Sequence, residues 1–254
     1  MLGYNYQEYL KNSKVYSQRY SFFVDKLINL IPGDLLDVGA GYGFFSQKVL
    51  KESKFHVTSL EPYLGVECID KGSRVKVVRQ NFRHFVSENT KVFDVVAFLD
   101  VLEHFPNPSW VLDKAYSVTN DKGYVFIQLP NYKSLMSRLC KEWAWWMPKD
   151  HYYHFSVKSI RKLLEAHNYK VVSLHTTETF DEFKKNLDGN FESISTLLRK
   201  PIKAFTIGPF FLVYTLLQPV IHRFGMGGLI QLIAQKKMIL SFVMITKKCG
   251  GCGG

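Results

Sequence analysis

Short apolar, β-branched runs alternate along the chain with amphipathic stretches. Residues 110–118 and 160–167 have apolar side chains at helical spacing, and an N-terminal stretch with the same spacing ends at Pro32 and Gly33. Strands that alternate with helices predict right-handed βαβ units, and hence an α/β fold with a mostly parallel sheet and helices on both faces. The predicted strands are DLLDVG, FHVTSLE, VKVVRQ, FDVVAFLD, GYVFIQLP, YKVVSLHTT and MILSFVMIT.

Three closely spaced glycines follow the first predicted strand, in the stretch LLDVGAGYGFF. Gly39, Gly41 and Gly43 would weaken a strand and oppose a helix, so we expect them to permit the close approach of a ligand to the backbone. A tight turn without a ligand is the alternative. The dinucleotide-binding pattern requires a third glycine where this chain has Phe44, and the P-loop pattern requires a Lys followed by Ser or Thr, which does not follow Gly43. Both patterns are therefore excluded.

Asp37 precedes these glycines and completes a pattern that resembles motif I of the class I S-adenosylmethionine-dependent methyltransferases. The resemblance implies a Rossmann-like sheet of seven strands, mostly parallel, with the last strand antiparallel. It also implies that Asp37, Gly39, Gly41 and Gly43 bind S-adenosylmethionine. Asp37 is expected to bond the amides of the loop or, through water, the amino group of the cofactor. A purely structural aspartate at a strand end is the alternative.

Two further polar residues follow the second and third predicted strands. Glu61 ends the second strand, where the matching acidic residue of the family accepts both ribose hydroxyls. Asn81 follows the third strand, where the family usually has an aspartate that accepts from the adenine amino group. An asparagine oxygen can also accept, but the departure leaves that contact open. The resemblance therefore assigns both residues to the cofactor.

The fourth strand and the residues after it, FDVVAFLDVLEHFPNP, resemble the ubiquinone-biosynthesis-like O-methyltransferase branch. Asp100, Glu103 and His104 have the spacing i, i+3 and i+4, so one helical turn would bring them to one side. By resemblance, these three residues imply a site for a divalent metal, Mg²⁺ or Zn²⁺. Asp100 is also assigned to the cofactor. Alternatively, Glu103 and His104 only brace the loop after the strand.

Two further histidines, His151 and His154, lie in the stretch MPKDHYYHFS. The resemblance implies that His151 and His154 lie near the acceptor. Histidine titrates near neutral pH and can take a proton from an acceptor hydroxyl or amine. The predicted catalytic residues are therefore His104, His151 and His154, although each could instead pack a loop.

Charge is distributed unevenly along the chain. The formal net charge is +11, and no Asp or Glu follows Glu192, which indicates an anionic partner, either nucleic acid or phospholipid. Residues 204–221 are uncharged and flanked by cations. Because the chain must return to a last strand, an interfacial or re-entrant membrane element is favoured over a span. The tryptophan-rich stretch KEWAWWMPK also favours a membrane boundary. A lid over the acceptor or an oligomer interface is the alternative.

The predicted organisation follows from these features. Four scattered cysteines are too few for a disulfide scaffold, and the Cys249–Cys252 pair lacks the second pair of a zinc site. No apolar signal segment is present at the start, so a cytoplasmic protein is expected. The uncharged segment with its flanking cations adds the expectation that the protein associates peripherally with a membrane. The predicted parts are an N-terminal helical lid (1–33), a methyltransferase core (34–175), an apolar basic insertion (176–237), the last strand (238–248) and a flexible tail (249–254).

The predicted function is methyl transfer to a hydroxyl, less readily to an amine or carbon, of an apolar, lipid-linked or small-molecule acceptor. One alternative is a non-catalytic membrane adaptor that keeps the cofactor fold. Another is a nucleic-acid methyltransferase. The last is disfavoured because the basic residues flank apolar runs and no base-flipping motif follows the fourth strand, so no nucleic-acid partner is predicted. The oligomeric state stays open.

Overall fold

The computed structural model describes residues 18–63, 74–140, 143–188 and 196–238. The strands are β1 (Asp34–Val38), β2 (His56–Leu60), β3 (Val75–Val78), β4 (Phe93–Leu99), β5 (Thr119–Pro130), β6 (Tyr169–Thr177) and β7 (Leu229–Lys236). The helices are α1 (Ser21–Ile28), α2 (Phe44–Glu52), α3 (Phe82–Glu88), α4 (Pro108–Val118), α5 (Leu135–Leu139), α6 (Val157–Ala166), α7 (Phe180–Asp188) and α8 (Thr196–Arg223), with a 3₁₀ helix at Leu102–His104.

The seven strands form one sheet in the order β3-β2-β1-β4-β5-β7-β6. Strands β1 to β5 are parallel to one another, whereas β7 lies antiparallel between β5 and β6. The predicted Rossmann-like, mostly parallel sheet with an antiparallel last strand is confirmed. The strand order reverses between β1 and β4, and ligands of such sheets bind in the crevice at the carboxyl ends of strands at this point.

Each face of the sheet carries its own apolar core, because successive strand residues point to opposite faces. Leu35 of β1 belongs to the core that α1 and α2 cover, whereas Leu36 belongs to the core that α3, α4 and α6 cover. Both leucines are buried completely. Helices therefore cover both faces of the sheet, as the alternating pattern predicted.

Helix α1 is part of the first of these cores. Phe23, Val24 and Leu27 are buried at helical spacing, and the ring of Phe23 stacks on Phe126 of β5 with the centroids 5.4 Å apart. In its described part, residues 18–33, the predicted lid contains a helix whose apolar stripe is buried against the sheet, and its role as a lid stays a prediction. Residues 1–17 of the predicted lid lie outside the described residues.

Within the described residues the last strand is β7, which lies inside the predicted insertion at 176–237, so that insertion ends earlier than predicted. The predicted strand at 238–248 lies, apart from residue 238, outside the described residues. From Leu229 to Ala234 every residue of β7 is buried, which is typical of a strand covered on both faces. The glutamine at position 231 interrupts the apolar run of β7. Gln231 is tolerated because its Nε2 donates to Oε1 of Gln128 on β5 (2.6 Å). Residues 239–254, including the predicted tail, lie outside the described residues.

The segment between β6 and β7 is helical, as predicted, and has a small apolar core. Phe183 of α7 packs against Phe211 and Tyr214 of α8, with ring centroids 5.1 and 4.9 Å from its own. Glu178, directly after β6, accepts hydrogen bonds from the Tyr214 hydroxyl (2.5 Å) and from Nδ2 of Asn186 (3.0 Å). A buried carboxyl group therefore joins both helices of this segment to the end of β6.

The burial of Glu178 makes its protonation part of the stability of the fold. Burial raises the pKa of Glu178 from 4.5 to about 7; the hydrogen bond from Tyr214 opposes the rise and the Glu182 carboxylate adds to it. The folded protein thus retains a proton that the unfolded chain releases at lower pH. Because the folded-state pKa is the higher one, this stabilisation is complete below a pH of about 4.5 and is lost as the pH rises through about 7.

We expect Glu178→Gln to reduce the loss of stability between pH 5 and pH 8. Glutamine stays neutral over this range, whereas the wild-type carboxyl group must lose its proton at a cost of at most about 3 kcal/mol. Urea unfolding of both proteins at several pH values measures the difference. Glu165→Gln, at an exposed position of α6, is the control and should keep the wild-type pH dependence. The same pH dependence in all three proteins would contradict this role of Glu178.

Candidate active site

A turn of three left-handed glycines joins β1 to α2. Gly39, Gly41 and Gly43 have φ angles of 70°, 54° and 80°, which other residues adopt at a cost. A Cβ atom on Gly39 would lie 2.7 Å from Cγ2 of Val101, so packing requires a glycine there. A Cβ atom on Gly41 would have no protein atom within 4 Å. Gly41 therefore exposes backbone that a ligand can approach closely.

Asp37 is buried at the end of β1 and links three elements. Its Oδ2 accepts a hydrogen bond from the Ser46 hydroxyl of α2 (2.6 Å), and that hydroxyl lies 2.7 Å from the Ser59 hydroxyl of β2. Burial raises the pKa of Asp37 to about 7; the Ser46 hydrogen bond opposes the rise and the Glu61 charge adds to it. A helix side chain, rather than the expected loop amides, is the partner of this Oδ2. The structure thus gives Asp37 a bracing role, and its contact with the cofactor stays a prediction.

Glu61 follows β2 and supports the glycine turn. Its Oε2 accepts from the backbone N–H of Gly41 (3.0 Å), and its Oε1 accepts from the backbone N–H of Tyr63 (2.8 Å). A carboxylate offers about four acceptor sites, the number that two backbone amides and two ribose hydroxyls together would use. One buried side chain therefore stabilises the turn and presents the acceptors that the resemblance implies.

Asn81 begins helix α3 as its N-cap residue. Its Oδ1 accepts from the backbone N–H of His84 (2.9 Å). Aspartate and asparagine are about equally good N-caps, so the structural role of this position suits both this chain and the usual aspartate of the family. The amide oxygen has a second lone pair, and the predicted contact with adenine stays a prediction.

The three predicted histidines meet in one cluster beyond the end of β4. The ring centroids of His104 and His151 are 4.7 Å apart, and those of His151 and His154 are 5.7 Å apart. The loop with the latter two is joined to the segment after β4, because the backbone N–H of Tyr152 donates to the carbonyl of Glu103 (2.9 Å). Residues that are distant in sequence are therefore brought together, as expected for a shared site.

This histidine cluster adjoins the glycine turn because β1 and β4 are neighbours. Val38 at the end of β1 pairs with Phe98 of β4, and the side chain of Val101 lies against Gly39. The 3₁₀ helix with His104 follows Val101 directly. The turn and the cluster thus share the crevice at the carboxyl ends of these two strands.

Burial controls the charge of the cluster. It lowers the pKa of His151 to about 4, and the neighbouring His104 and His154 lower it further. Burial also lowers the pKa of His154. Glu103 is 2 % exposed, and burial together with the Asp100 charge raises its pKa well above the ordinary value. His151 and His154 are therefore neutral at pH 7, the form that accepts a proton or binds a metal.

Glu103, His104 and His151 lie close enough together to bind one metal ion. One ligand atom of each lies within 4.8 Å of the others. Within the described parts of the chain, Oε2 of Glu103 and Nδ1 of His151 are buried without hydrogen-bond partners. This group differs from the predicted set of Asp100, Glu103 and His104, because His151 takes the position that Asp100 was expected to fill, and metal binding stays a prediction.

Asp100 lies outside that set because of its backbone conformation. Its φ of 58° is left-handed, so it is not part of the helical turn that the i, i+3, i+4 spacing assumed. Its Oδ2 accepts instead from Nε2 of Gln128 (2.8 Å) and from the guanidinium of Arg19 (3.3 Å). Left-handed residues other than glycine cluster at functional sites, and the contact of Asp100 with the cofactor stays a prediction.

Comparison with known proteins identifies the family. The family model described as "Methyltransferase domain" matches residues 6–174, more than half of the chain. The chain belongs to this methyltransferase family. The family indicates S-adenosylmethionine as the methyl donor, and the assignment of the glycine turn and Glu61 to this cofactor stays a prediction.

Solved structures support the fold of the methyltransferase. A SAM-dependent methyltransferase from Archaeoglobus fulgidus superposes with a TM-score of 0.62 at 18% identity, covering 91% of this chain and 100% of that one. The magnesium protoporphyrin IX methyltransferase from Synechocystis PCC 6803, solved with bound SAH, has a TM-score of 0.57 at 16% identity and covers 89% and 86%. At these identities the likeness extends to the fold.

Curated relatives with similar sequences are named ubiquinone biosynthesis O-methyltransferase. The protein from Vibrio vulnificus (strain YJ016) is 26% identical over 121 residues, which cover 44% of this chain and 50% of the relative. The protein from Yersinia pestis (strain Pestoides F) is 25% identical over 198 residues, covering 68% and 78%. The chain thus spans about half the length of the Vibrio relative that it matches.

Two residues that shape the site of the methyltransferase, Arg19 and Gln128, were not predicted from the sequence. Arg19 lies just before α1, with 7% of its side chain exposed, and bridges Asp100 and Glu182. A single arginine in a helical stretch does not indicate that its side chain forms buried ion pairs. Gln128 could have been found, because it is a polar residue in the otherwise apolar strand β5.

We expect Glu61→Gln to weaken the binding of S-adenosylmethionine at least tenfold. An amide replaces a charged acceptor with a mixed donor and acceptor, and hydrogen bonds to charged groups contribute about 1.5–3 kcal/mol. Isothermal calorimetry measures the affinity, and thermal unfolding checks that the turn still folds. Glu52→Gln, on the half-exposed face of α2 beside Lys48, is the matched control. An unchanged affinity for Glu61→Gln would contradict the cofactor role of Glu61.

Proposed function

We propose that this methyltransferase transfers a methyl group from S-adenosylmethionine to a hydroxyl group of an apolar acceptor. The histidine cluster beside the glycine turn carries the proposal. An acceptor hydroxyl must lose its proton as its oxygen attacks the methyl group, and an imidazole near the reacting oxygen can take it. The names of the curated relatives, which are O-methyltransferases, support oxygen as the acceptor atom.

Aromatic side chains around the cluster support an apolar acceptor. The indole ring of Trp146 stacks on His154, with the centroids 4.5 Å apart and the planes at 13°. Trp143 is nearly buried beside the same histidine, 5.9 Å away between centroids. Such a surface binds apolar rings and chains and leaves a small number of polar groups to orient the reacting hydroxyl.

Positioning of the two reactants supplies most of the rate in this mechanism. The cofactor brings an electrophilic methyl group on its sulfonium sulfur. The glycine turn and Glu61 would hold the cofactor, and the histidine cluster would hold the acceptor hydroxyl for the in-line displacement that methyl transfer requires. No charged nucleophile on the protein is needed for this reaction.

Within the cluster, His104 is the best placed proton acceptor. Its Nδ1 lies 2.8 Å from the backbone carbonyl of Asp150, so Nδ1 carries the proton that is donated to this oxygen. Nε2 is then unprotonated and can accept. His151, whose pKa burial lowers to about 4, is a weaker base at neutral pH. We therefore assign proton acceptance to His104 and orientation of the acceptor to His151 and His154.

We expect His104→Ala to lower the rate of methyl transfer about 100-fold, the scale of general base catalysis, and to leave the affinity for S-adenosylmethionine unchanged. Radiolabelled S-adenosylmethionine incubated with an extract of apolar lipids measures transfer, and calorimetry measures affinity. His84→Ala, on the exposed side of α3, is the control. Cofactor binding without transfer to any acceptor would overturn the proposal and favour a non-catalytic adaptor.

A divalent cation is a second proposal for the same cluster. The donor set of Glu103, His104 and His151 fits one, because two of its buried polar atoms lack partners within the described residues and a buried unpaired polar group is costly. One carboxylate and two imidazoles suit Zn²⁺ better than Mg²⁺. The cation would act as a Lewis acid on the acceptor oxygen. Binding through Nε2 of His104 would replace proton acceptance by that atom.

We expect Zn²⁺ to bind the metal-free protein in calorimetric titration, and Glu103→Gln to weaken this binding at least tenfold, since a charged ligand is lost. Glu88→Gln is the matched control, because Glu88 pairs with His84 on the surface of α3 and offers a carboxylate beside an imidazole without the third ligand. Full activity after dialysis against a chelator, together with no Zn²⁺ binding, would contradict the metal site. His104 would then remain the proton acceptor.

A further inference from the structure

Helix α8 is attached to the protein along one narrow stripe. Between residues 205 and 223, the buried side chains are Ile207, Tyr214 and Ile221, which are spaced seven residues apart. They form an apolar cluster with Met136 of α5 and Phe183 of α7. A stripe this narrow covers only a minor part of the circumference of the helix.

Between residues 205 and 223, the side of α8 opposite this stripe is exposed and mostly apolar. Its outer face is formed by Phe205, Leu212, Val213, Leu216, Leu217 and Val220, each at least half exposed, with Leu216 at 72%. A surface helix of a globular protein carries polar residues on this side, and a contiguous exposed apolar patch marks an interaction site. The segment Phe205–Arg223 is long and apolar enough to cross a membrane, and only 17% of it is buried.

The charged residues of α8 and of the chain after it have one sign. The sequence contains no Asp or Glu after Glu192, whereas Arg199, Lys200 and Lys203 lie in the first part of α8. Arg223 is exposed at the other end of the helix. Cations at both ends of an apolar face, without acids, match a surface that is apolar inside and anionic outside.

We propose that the outer face of α8 docks on an anionic lipid bilayer. The apolar side chains enter the boundary between headgroups and acyl chains, and the flanking cations lie among the lipid phosphates. A second copy of this chain fits less well, because two such faces would bring like charges together with no acidic residue from this part of either copy.

The helix lies along the bilayer and does not cross it. Both ends of the segment return to the same edge of the sheet, where Thr177 of β6 pairs with Leu229 of β7. Crossing would separate Ile207 and Ile221 from the protein and break the buried hydrogen bond between Tyr214 and Glu178. Docking through the outer face requires neither change.

Docking would bring the bilayer to the acceptor side of the active site, a step that rests on the proposed function. Oδ1 of Asn186 on α7 accepts from the backbone N–H of Ala144 (3.1 Å), and α7 packs on α8. The loop with Trp146 and His154 is thus joined to the segment that meets lipid. An apolar acceptor dissolved in the bilayer would enter the histidine cluster through this loop.

Flotation of the full chain with vesicles tests the docking. We expect binding to phosphatidylcholine vesicles that contain about a third phosphatidylglycerol, and little binding to phosphatidylcholine alone. High salt should release only part of the protein, because the apolar contribution resists salt. The double variant Leu212→Gln/Leu216→Gln should bind at least tenfold more weakly, and Arg223→Gln about fivefold more weakly, as expected for the loss of one surface cation.

The double variant Ile28→Gln/Ile31→Gln is the matched control, because both isoleucines are exposed at the other end of the molecule, 55% and 89%. Thermal unfolding and S-adenosylmethionine affinity should stay unchanged in every variant. Equal flotation of the wild type and the α8 double variant would overturn the proposal. So would a wild-type dimer in analytical ultracentrifugation that the α8 substitutions dissociate, combined with no vesicle binding. Vesicle binding needs no methyl transfer, so its failure and failure of the proposed function are distinguishable.

Discussion

The hydrogen bond from the backbone N–H of Gly41 to the carboxylate of Glu61 joins the ends of two neighbouring strands. It holds the glycine turn in its left-handed conformation above β1. On the other side of the same turn, Gly39 lies against Val101, so the segment after β4 must follow one path. The 3₁₀ helix with Glu103 and His104 begins directly after that contact. The packing of the glycine turn against Val101 therefore determines where the histidine cluster lies.

Much of the fold was predictable because its determinants are local. The parallel strands are short apolar runs bounded by turns, and their alternation with amphipathic stretches leaves little freedom in a mostly parallel sheet. Strand β7 was misplaced for a physical reason. Its identity depends on pairing with β5 and β6, and Gln231 is acceptable in it because its Nε2 donates to Gln128 opposite and to the carbonyl of Arg19. A sequence pattern does not contain that cross-strand partner.

The candidate site was predictable to the extent that each residue depends on its own strand end. Glu61 and the three glycines lie where the motif places them, and the histidines meet as expected. Asp100 was grouped with Glu103 and His104 because spacing alone suggested a helical turn, whereas its backbone is left-handed. Arg19 escaped notice because its role arises only when α1 packs on the sheet and the α7 segment closes over it. Contacts between distant segments are what the sequence pattern lacks.

Arg19 joins the segment between β6 and β7 to the rest of the protein through ion pairs. Its nearly buried guanidinium lies between Asp100, at the edge of the cofactor crevice, and Glu182 of α7. Removing one partner of such a group leaves an uncompensated buried charge, which is strongly destabilising. The segment that exposes the apolar face of α8 therefore shares a charged residue with the active site. Any displacement of α7 would change the electrostatic surroundings of Asp100. The side chain of Arg19 therefore links the segment that contains α7 and α8 to the cofactor crevice.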